Sequence, residues 1–413
     1  MPGVVTTGGS RRDVAVVTPW YPTRLARFSG AFVRAMVDAT APGLDSMTVY
    51  HCDGWMSKAR PEEDQAAREA QLSLLRRGVP LGRTVASAGL RYVPVPIGGP
   101  WTFASAARRF AEALRTALGG PIPASVVHAH VGLRGGYVAL ECAEPGAPVF
   151  VTEHATYLAK LLANDESRDM YDEVIDRATG FFAVGEPIRA PLIEAFPHHK
   201  DKIQLIPNPI QFDAPPRSPV TKLQRWMFIG NLIERKGVML LLDAFAKCYA
   251  EDSSLRLTFI GEGVLEEPLR KRAAELGVGH AVTLHGPLTP DETLRAMASY
   301  DLLVHPSRYE TFGMTIIEAI AAGTPVLVTR CGGPQETLAG IESAASEFID
   351  VTDSPDDIVA GYRRLRERTP GGLDFGLAQR TLAARYGYDA VGALHHRIWF
   401  GNGADAVDGG AGS

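Results

Sequence analysis

Two glutamates, Glu310 and Glu318, stand on either side of Gly313 in the segment SRYETFGMTIIEAIAAGTPV. A predicted strand ends just before this segment, and a predicted helix begins near Met314. The unpaired amides of a first helical turn lie at the positive end of the helix dipole and can bind a phosphate. Glu318, a turn further on, could accept hydrogen bonds from a ribose. Two glutamates at this spacing are common by chance, so the strand, loop and helix around them carry the interpretation.

Two further loops in the same half of the chain could contact a phosphate or a base. The segment MFIGNLIERKG places Arg235 and Lys236 in a polar turn after a predicted strand. A lysine there could form a charge-assisted hydrogen bond with a diphosphate, worth about 1.5–3 kcal/mol. Taken alone, such a turn is more often a solvated surface. The segment TFIGEG could bring its backbone close to a ligand, although a lone GxG is weak evidence.

The first half of the chain carries histidines where predicted strands end. VFVTEHATY carries Glu153 and His154 directly after its predicted strand. HAHVGLRGG carries His128, His130 and Arg134 at another strand end. The HxH spacing could bind zinc, but no third ligand is evident, so we predict a site without a metal. The alternatives for these histidines are a contact with a substrate and a hydrogen-bonded structural role.

Strands and helices alternate along the chain, which predicts parallel sheets with helices on both faces. Ligands bind such sheets beyond the carboxyl ends of the strands. The polar loops all follow predicted strands, so two sheets that face each other would bring these loops together across a cleft. The predicted strands are Val14–Thr18, Met47–His51, Tyr92–Pro96, Val126–Ala129, Val149–Thr152, Gly180–Val184, Trp226–Gly230, Leu255–Gly261, Ala281–Gly286, Leu302–Pro306 and Val326–Thr329.

A proline-rich stretch separates the two halves. Five prolines fall between Pro207 and Pro219, and proline cannot continue a helix interior or a central strand. We therefore predict two Rossmann-like, doubly wound α/β domains that face a central cleft. The predicted organisation is a disordered leader at 1–12, an N-terminal domain at 13–207, a linker at 208–222, a C-terminal domain at 223–380, a helix at 381–400 that could cross back to the N-terminal domain, and a disordered tail at 401–413.

Composition and charge exclude several classes of protein. The chain has 413 residues, 46% of them hydrophobic, and a net charge of −5, which argues against a protein that mainly neutralises nucleic-acid phosphates. Its four cysteines form no CxxC pair, so neither a zinc cluster nor a disulfide framework is expected. The sequence shows no apolar run of about 18 residues and no secretion signal, and we expect a cytoplasmic protein.

The segments IGNLIERKG, TFIGEG, LHG and ETFGMTIIEAIAAGTPV together resemble the retaining glycosyltransferases of family four, over nearly the whole chain. The pair Glu310 and Glu318 matches the E-x7-E signature of that family. The resemblance implies an α/β protein of GT-B fold that moves a hexosyl or pentosyl group from a nucleotide sugar, most often a UDP-sugar, to a hydroxyl. It also implies a reaction without a cofactor or a metal, in which the departing phosphate oxygen accepts the acceptor's proton.

The resemblance also assigns roles to individual residues. The position of Glu310 faces the donor sugar, Glu318 holds the ribose, and Lys236 binds the phosphates. The implied catalytic residues are His154, Glu310 and Lys236. The implied donor-binding residues are Gly30, Asn231, Arg235, Lys236, Gly261, Glu262, Leu284, Phe312, Gly313, Met314, Thr315 and Glu318. The implied acceptor-binding residues are His128, His130, Arg134 and Glu153.

One position departs from the family pattern. The family usually has arginine directly after the glycine that ends the strand, where this chain has Asn231. A neutral amide cannot replace the guanidinium fork, so either Arg235 covers the phosphate or the site relies on Lys236 and the helix start. The first loop, PWYPTRLARFSGA, also matches loosely, because the family's usual double glycine is reduced to Gly30.

The acceptor is the part that the sequence defines least. The segment Asn164–Arg177 holds six acids against two arginines. It is either a solvated helix face or a negative rim that attracts a cationic acceptor such as an aminocyclitol. Pro61–Arg77 is only partly amphipathic, which favours a soluble acceptor over membrane docking. We therefore predict an enzyme of natural-product or antibiotic biosynthesis that acts on a small soluble acceptor, with neither nucleic acid nor a membrane as a partner.

Three alternatives stay open. A lipid-linked or polysaccharide acceptor would suit the same donor site. A GT-B sugar-nucleotide epimerase would share the fold and the nucleotide pocket but would need no acceptor. A non-catalytic protein would bind the nucleotide sugar without turnover. The oligomeric state is not predicted.

Overall fold

The computed structural model describes residues 11–23, 29–56, 88–97, 102–214 and 217–401. Within these ranges the chain forms two parallel β-sheets, of seven and six strands, each flanked by helices. The predicted fold class, two doubly wound α/β halves, is therefore confirmed. Residues 1–10, Pro61–Arg77 and 402–413, on which parts of the sequence prediction rest, lie outside the described residues.

The first sheet belongs to the N-terminal half of the chain. Its strands are β1 (Asp13–Thr18), β2 (Ser46–Met56), β3 (Ala88–Ile97), β4 (Val126–His130), β5 (Val149–Glu153), β6 (Gly180–Ala183) and β7 (Ile203–Leu205). They lie in the order β3-β2-β1-β4-β5-β6-β7, and each neighbouring pair is parallel. Every residue of β4 and β5 is buried, as expected for central strands covered by helices on both faces.

The second sheet belongs to the C-terminal half. Its strands are β8 (Arg225–Ile229), β9 (Arg256–Ile260), β10 (Val282–Gly286), β11 (Leu302–His305), β12 (Val326–Thr329) and β13 (Ser346–Ile349). They lie in the order β10-β9-β8-β11-β12-β13, again in parallel. The two sheets thus repeat one topology.

Helices cover both faces of each sheet. In chain order they are α1 (Ala31–Thr40), α2 (Phe103–Leu118), α3 (Val138–Cys142), α4 (Leu158–Leu162), α5 (Asp165–Arg177), α6 (Glu186–Ala195), α7 (Val238–Glu251), α8 (Glu266–Glu275), α9 (Pro290–Met297), α10 (Met314–Ala321), α11 (Gly333–Thr337), α12 (Glu342–Ala345), α13 (Pro355–Arg368), α14 (Phe375–Tyr386) and α15 (Tyr388–Phe400). A π-helical turn, Gly132–Tyr137, precedes α3. None of the helices described is both long and apolar enough to cross a bilayer.

The strand order of each sheet reverses beside its first strand. β1 lies between β2 and β4, and β8 lies between β9 and β11. The connections that leave these strands diverge to opposite faces of the sheet, which opens a crevice at the carboxyl ends where ligands bind. Gly30 and α1 follow β1, and Gly313 and α10 follow β11. The topology therefore places the predicted phosphate loop beside such a crevice.

Two edge strands and one helix break differ from the sequence expectation. β7 has three residues and β13 has four, which is too short for a recognisable pattern. The helix expected over 381–400 is instead the pair α14 and α15, which meet at Gly387. The amide of Ile210 in the linker donates to the carbonyl of Tyr386 beside that break. The break is thus stabilised by a contact distant in sequence.

The last helix, α15, packs on α1 of the N-terminal domain. Trp399 is buried in the core beneath the first sheet, together with Val14 and Met36. His396 Nε2 also lies 2.7 Å from the carbonyl oxygen of Thr40 at the end of α1. The end of the chain therefore ties the C-terminal half to the N-terminal domain.

Candidate active site

A cavity of about 660 Å³ lies between the two domains, where strands of both sheets end. Residues after β1 and β5 line it from the N-terminal domain, and residues after β8, β9 and β11 line it from the C-terminal domain. The predicted site residues that line the cavity are Gly30, His154, Asn231, Arg235, Lys236, Gly261, Glu262, Glu310, Phe312, Gly313, Met314, Thr315 and Glu318. The structure thus brings all three candidate catalytic residues and most of the candidate donor-binding residues to one place.

Glu310 is a buried anion at the edge of this cavity. Its Oε1 accepts hydrogen bonds from Lys236 Nζ at 2.5 Å and from His305 Nε2 at 2.8 Å. Burial alone would raise the pKa of Glu310, but the charge of Lys236 and the bond from His305 outweigh it and hold the pKa well below its usual range. Burial lowers the pKa of His305, which therefore donates as a neutral imidazole. At neutral pH the site contains a carboxylate–ammonium pair.

Glu318 lies on the second turn of α10 and faces the same cavity. Its carboxyl group is half-buried and has neither a hydrogen bond nor an ion pair within the described part of the chain. Burial raises the pKa of Glu318 to about 7. A carboxylate in this state lacks hydrogen-bond donors, and the two hydroxyl groups of a ribose would supply them.

The start of α10 offers backbone donors to the cavity. Gly313 precedes the helix with φ 87°, a conformation that favours glycine, and a Cβ there would approach Ile316 Cδ1 to 3.2 Å. The amides of Ile316 and Ile317 turn back to the carbonyl of Gly313. The amides of Met314 and Thr315 have no partner among the residues described, and they lie at the positive end of the helix dipole. This geometry suits a diphosphate.

Close backbone packing shapes the side of the cavity beyond β8 and β9. Gly261 has φ 142°, and a Cβ there would lie 2.0 Å from the carbonyl oxygen of Gly230. The amide of Leu232 donates to the carbonyl of Glu262 at 2.8 Å. A side chain at position 261 would therefore push apart the loops that carry Asn231 and Glu262.

Asn231 and Arg235 both line the cavity, but of the two only the Arg235 side chain forms a hydrogen bond with a described residue. Asn231 is exposed, and its side chain makes no hydrogen bond to any described residue. The Arg235 guanidinium donates to the carbonyl of Tyr309 and so supports the loop that carries Glu310. Arg235 would have to leave that carbonyl to reach a phosphate. Lys236 is thus the cation already placed for an anionic ligand.

His154 lines the cavity from the N-terminal domain. Phe32 stacks on its imidazole, with 4.2 Å between ring centroids and 28° between planes. Its Nε2 lies 2.9 Å from Nδ1 of His130. Burial lowers the pKa of His154 to about 3, so the ring is neutral at pH 7. The residue therefore lines the cavity as an uncharged ring whose Nε2 is already in contact with His130.

The structure corrects the acceptor-binding role given to Glu153. Its carboxylate is fully buried and does not line the cavity. The four groups that donate to it are the amides of Gly132, His154 and Ala155 and the hydroxyl of Tyr171. Because these bonds occupy both oxygens, Glu153 cannot contact an acceptor. It fixes the loop after β5, and therefore the backbone of His154.

His128 and His130 also lie behind the cavity, and the acceptor-binding role given to them is corrected too. Both rings are buried, and burial lowers the pKa of each well below the usual value. His128 lies 2.8 Å from Thr152 Oγ1 through Nε2, and it accepts a hydrogen bond from Trp399 Nε1 at 2.9 Å through Nδ1. His128 is thus a structural link between β4, β5 and α15.

The wall that the N-terminal domain contributes is aromatic, which the sequence analysis missed. Trp20, Phe32 and Tyr157 line the cavity, and Trp20 meets each of the other two edge-on at 6.1 Å between centroids. Arg134, predicted to bind the acceptor, lies behind this wall and donates to the Tyr157 hydroxyl at 2.9 Å. Their position in the sequence could have identified them, because Trp20 and Tyr157 both follow strands of the sheet.

Leu284 is the one candidate donor-binding residue that the structure places elsewhere. It lies inside β10 and packs against the core of the C-terminal domain. Leu288, Pro290 and Thr293, which follow that strand, line the cavity in its place. The strand ends at Gly286, as the sequence predicted, so the donor-binding role of Leu284 came from the family resemblance and not from the strand pattern.

The acidic segment expected near the acceptor forms α5 and contributes no residue to the cavity. Its Glu166, for example, pairs with Arg108 at 2.6 Å on the exposed surface. The interpretation as a solvated helix face therefore fits.

Within the described residues, one group of side chains comes close enough to hold a metal ion: Asp172, His198 and His199. Nε2 of His198 and Nε2 of His199 lie 2.8 and 3.1 Å from Asp172 Oδ1.

Comparison with known proteins identifies the family. Residues 48–214 match the family described as Glycosyltransferase Family 4, and residues 214–370 match Glycosyl transferases group 1. The fold is similar to the crystal structure of Anabaena HepE in complex with UDP and glucose, with a TM-score of 0.68 and 15% identity over 94% of this chain and 99% of that one. The chain belongs to the GT-B glycosyltransferases of family four. The predicted family is therefore confirmed.

Two curated glycosyltransferases illustrate the range of relatives. The lipopolysaccharide core biosynthesis glycosyltransferase LpsE of Rhizobium meliloti is 31% identical over 186 residues, 44% of this chain and 49% of that protein. The D-inositol 3-phosphate glycosyltransferase of Pseudarthrobacter chlorophenolicus is 30% identical over 231 residues, 50% of this chain and 55% of that one. The chain thus spans about half the length of these relatives. Their names indicate different acceptors, so family membership leaves the acceptor of this glycosyltransferase open.

Proposed function

We propose that this glycosyltransferase moves a sugar from a UDP-sugar to a hydroxyl of a carbohydrate or cyclitol acceptor, with retention of the anomeric configuration. One observation carries the proposal. A single cavity holds the carboxyl of Glu318 and the amides of Met314 and Thr315, none of which has a partner among the described residues, together with the ammonium of Lys236. The carboxyl suits the hydroxyls of a ribose, and the two amides and the ammonium suit a diphosphate. His154 lines the same cavity from the other domain.

The donor side supplies the charge that a leaving diphosphate needs. The two helix amides and Lys236 are fixed before any ligand binds, and preorganised donors of this kind are typically worth about 3–4 kcal/mol each in a site that excludes water. Lys236 would exchange part of its contact with Glu310 for a phosphate oxygen. The crystal structure of HepE, which shares the fold, was determined with UDP and glucose bound, and this supports a uridine donor.

Retention is proposed from the resemblance to the retaining family, and the composition of the acceptor side bears on how retention would be achieved. The described residues that line the cavity from the N-terminal domain include no carboxylate, because Glu153 is buried and fully bonded. On that side of the cavity, therefore, no carboxylate nucleophile is available to form a covalent glycosyl ester intermediate. In the reaction we propose, the bond from the sugar carbon to the phosphate oxygen breaks, the bond to the acceptor oxygen forms on the same face, and the acceptor proton passes to the departing phosphate oxygen.

The acceptor class is proposed from the aromatic wall. Trp20, Phe32 and Tyr157 offer flat apolar surfaces on which the C–H face of a sugar or cyclitol ring can pack. The electrostatic argument for an aminocyclitol loses its support, because α5 lies outside the cavity. Carbohydrate acceptors, whether free, polymeric or lipid-linked, share the ring that this wall would contact.

The test incubates the purified protein with UDP-glucose, UDP-galactose and UDP-N-acetylglucosamine, first alone and then with an acceptor. The acceptors are myo-inositol, an inositol phosphate, an aminocyclitol, a glucan oligosaccharide and a polyprenyl-linked sugar. Acceptor-dependent release of UDP with an α-linked product, measured by proton NMR, is the expected result. A β-linked product would refute retention. An epimerised donor, or donor binding without turnover in every tube, would refute transfer.

A further inference from the structure

Two adjacent histidines meet a carboxylate of α5 on the surface of the N-terminal domain. His198 and His199 lie in a short 3₁₀ turn, Pro197–His199, that follows α6. Asp172 lies on α5, and none of the three side chains lines the cavity. Nε2 of His198 lies 2.8 Å from Asp172 Oδ1, and Nε2 of His199 lies 3.1 Å from the same oxygen. Two imidazoles and one carboxylate from separate elements therefore converge on one point.

The spacing of these three groups is close to that of ligands around one metal ion. The two nitrogens and the carboxylate oxygen lie within 4.8 Å of one another. Zinc binds imidazole nitrogen and carboxylate oxygen at about 2.0–2.2 Å, so neighbouring ligand atoms of a tetrahedral site are about 3.3–3.6 Å apart. The two nitrogen–oxygen distances are somewhat shorter. The side chains would have to separate by only about half an ångström to admit the ion.

The contact between His199 and Asp172 is close but is not a good hydrogen bond. Nε2 of His199 is buried and has no hydrogen-bond partner within the described residues, although the carboxylate oxygen lies 3.1 Å away. The N–H direction of the ring must therefore pass to one side of that oxygen. Ligands of one ion show this geometry, because each nitrogen lone pair points at the ion and about 40° away from the neighbouring ligand atom.

The types of the ligand atoms indicate which ions would bind. Magnesium and calcium prefer sites made of oxygen atoms alone, whereas imidazole nitrogen suits zinc, copper and nickel. The side chains of His198 and Asp172 are 59% and 43% exposed, so an ion can reach them from solvent. Water can then fill the positions that the protein leaves open. The ligand set thus fits zinc or a related divalent ion with three protein ligands.

The charge of α5 favours a cation at this place. The helix carries six acids and two arginines, and no part of it lines the cavity. Two of the acids, Glu166 and Glu173, pair with arginines. The helix still has an excess of negative charge, and such an excess raises the local concentration of cations. The acidic helix that the transferase site does not use is therefore suited to attract a metal ion.

An ion at this point would join two elements that already pack together beneath it. Tyr171, the neighbour of Asp172, stacks on Phe196 with 5.8 Å between ring centroids and 4° between planes. Its hydroxyl also donates to Glu153, which fixes the loop after β5. The ion would link α5 to the turn after α6 on the outer side of this aromatic layer. It would therefore stabilise the folded N-terminal domain.

We propose that Asp172, His198 and His199 form a binding site for a divalent transition-metal ion, of which zinc is the best match. The two histidines bind through Nε2 and the aspartate through Oδ1, with water in the remaining positions. The ion links α5 to the turn after α6. The site is separate from the proposed transferase reaction, because its three side chains lie outside the cavity.

The first experiment titrates full-length protein, without an affinity tag and after treatment with a chelator, with Zn²⁺ in competition with a chromophoric chelator. We expect one ion to bind with a Kd of about 10 μM or tighter, and each of His199→Gln and Asp172→Asn to weaken binding at least about tenfold. The matched control is His280→Gln, which removes an exposed imidazole that lies 2.7 Å from the Tyr249 hydroxyl. It should leave the affinity unchanged. Equal affinity in the wild type and His199→Gln would overturn the proposal, as would the absence of binding in this range.

The second experiment identifies the ligands by X-ray absorption at the zinc edge, on protein loaded with one equivalent. We expect two imidazole nitrogens, together with oxygen ligands, at about 2.0–2.1 Å. His198→Gln changes an exposed ring with little risk to folding, and it should reduce the number of imidazoles to one. Zn²⁺ should also raise the temperature of unfolding of the wild type more than that of His198→Gln. Sulfur ligands, or fewer than two imidazoles in the wild type, would refute the site.

Discussion

Lys236 Nζ lies 2.5 Å from Glu310 Oε1, and their side chains are only 14% and 10% exposed. The pair joins the loop after β8 to the loop after β11 at the wall of the cavity. A buried lysine without a partner would be unfavourable, and Glu310 provides that partner while no nucleotide is bound. The carboxylate thus keeps the ammonium in place for a phosphate.

Replacing Lys236 with methionine keeps the apolar stem and removes the charge. We expect UDP affinity to fall about 10- to 100-fold, because a charge-assisted bond worth about 1.5–3 kcal/mol is lost. The free energy of unfolding is expected to fall by about 3 kcal/mol, since Glu310 is left as a buried carboxylate. Titration calorimetry and urea unfolding measure the two effects.

The matched control is Lys247→Met, which removes the lysine of an exposed ion pair with Asp356 at 2.6 Å. Exposed pairs contribute about 0–1 kcal/mol, so little change is expected in stability and none in UDP binding. Equal UDP affinity in Lys236→Met and in the control would contradict the role given to Lys236.

The raised pKa of Glu318, about 7 against an ordinary value of 4.5, gives a stability prediction. The folded protein binds this proton more tightly than the unfolded chain does. The stabilisation from protonation is therefore fully present below about pH 4.5 and is lost as the pH rises through about 7. The free energy of unfolding of the wild type, relative to Glu318→Gln, is expected to fall across this range. Urea unfolding at several pH values measures it, and a pH-independent difference would show that the pKa is not raised.

Binding of a nucleotide sugar is expected to release a proton from Glu318. Ribose hydroxyls that donate to the carboxylate favour its ionised form and lower its pKa from about 7. UDP-glucose suits this test because its phosphates do not titrate near neutral pH. Calorimetry at pH 6.5 in two buffers of different ionisation enthalpy measures the proton release. Glu318→Gln should bind more weakly and release none. Equal release in both proteins would place the ribose elsewhere.

The sequence predicted those parts of the site that depend on local pattern. Glu310, Gly313 and Glu318 fall within one strand–loop–helix unit, and the structure brings them to the cavity together. Glu153 and His130 could not be placed in this way, because a polar residue after a strand looks the same whether it faces a ligand or a buried partner. Their partners come from other elements, and burial depends on packing that a single sequence does not display.

The family resemblance and the helix pattern each had a limit as well. The resemblance gave Leu284 a donor-binding role, although this residue lies inside the predicted strand Ala281–Gly286, and the cavity is reached only at Leu288. The break between α14 and α15 coincides with a hydrogen bond from Ile210 to Tyr386. The contact at the helix break joins residues far apart in sequence, and local propensity does not report it.

Asn231 lies exposed at the cavity in the position where the family usually has arginine. In Asn231→Arg the new guanidinium could bind the diphosphate through two parallel hydrogen bonds. We expect UDP affinity to rise about tenfold, an effect of about 1.4 kcal/mol that weakens with salt. Calorimetry at low and high salt measures it. An unchanged or reduced affinity would instead indicate that Arg235 leaves the Tyr309 carbonyl and already occupies the phosphate position.

Gly261 and Gly277 allow two costs of adding a side chain to be measured apart: the clash with a neighbouring backbone and the strain of a positive φ. Both have positive φ, 142° and 71°, but a Cβ at Gly261 would lie 2.0 Å from the Gly230 carbonyl, whereas nothing lies within 4 Å at Gly277. Gly277→Ala is expected to cost about 1–2 kcal/mol, the price of the left-handed conformation alone. Gly261→Ala must also displace the Gly230 loop, so we expect a cost above about 3 kcal/mol and weaker UDP binding. Similar unfolding free energies for the two variants would show that the loops beyond β8 and β9 can separate without loss.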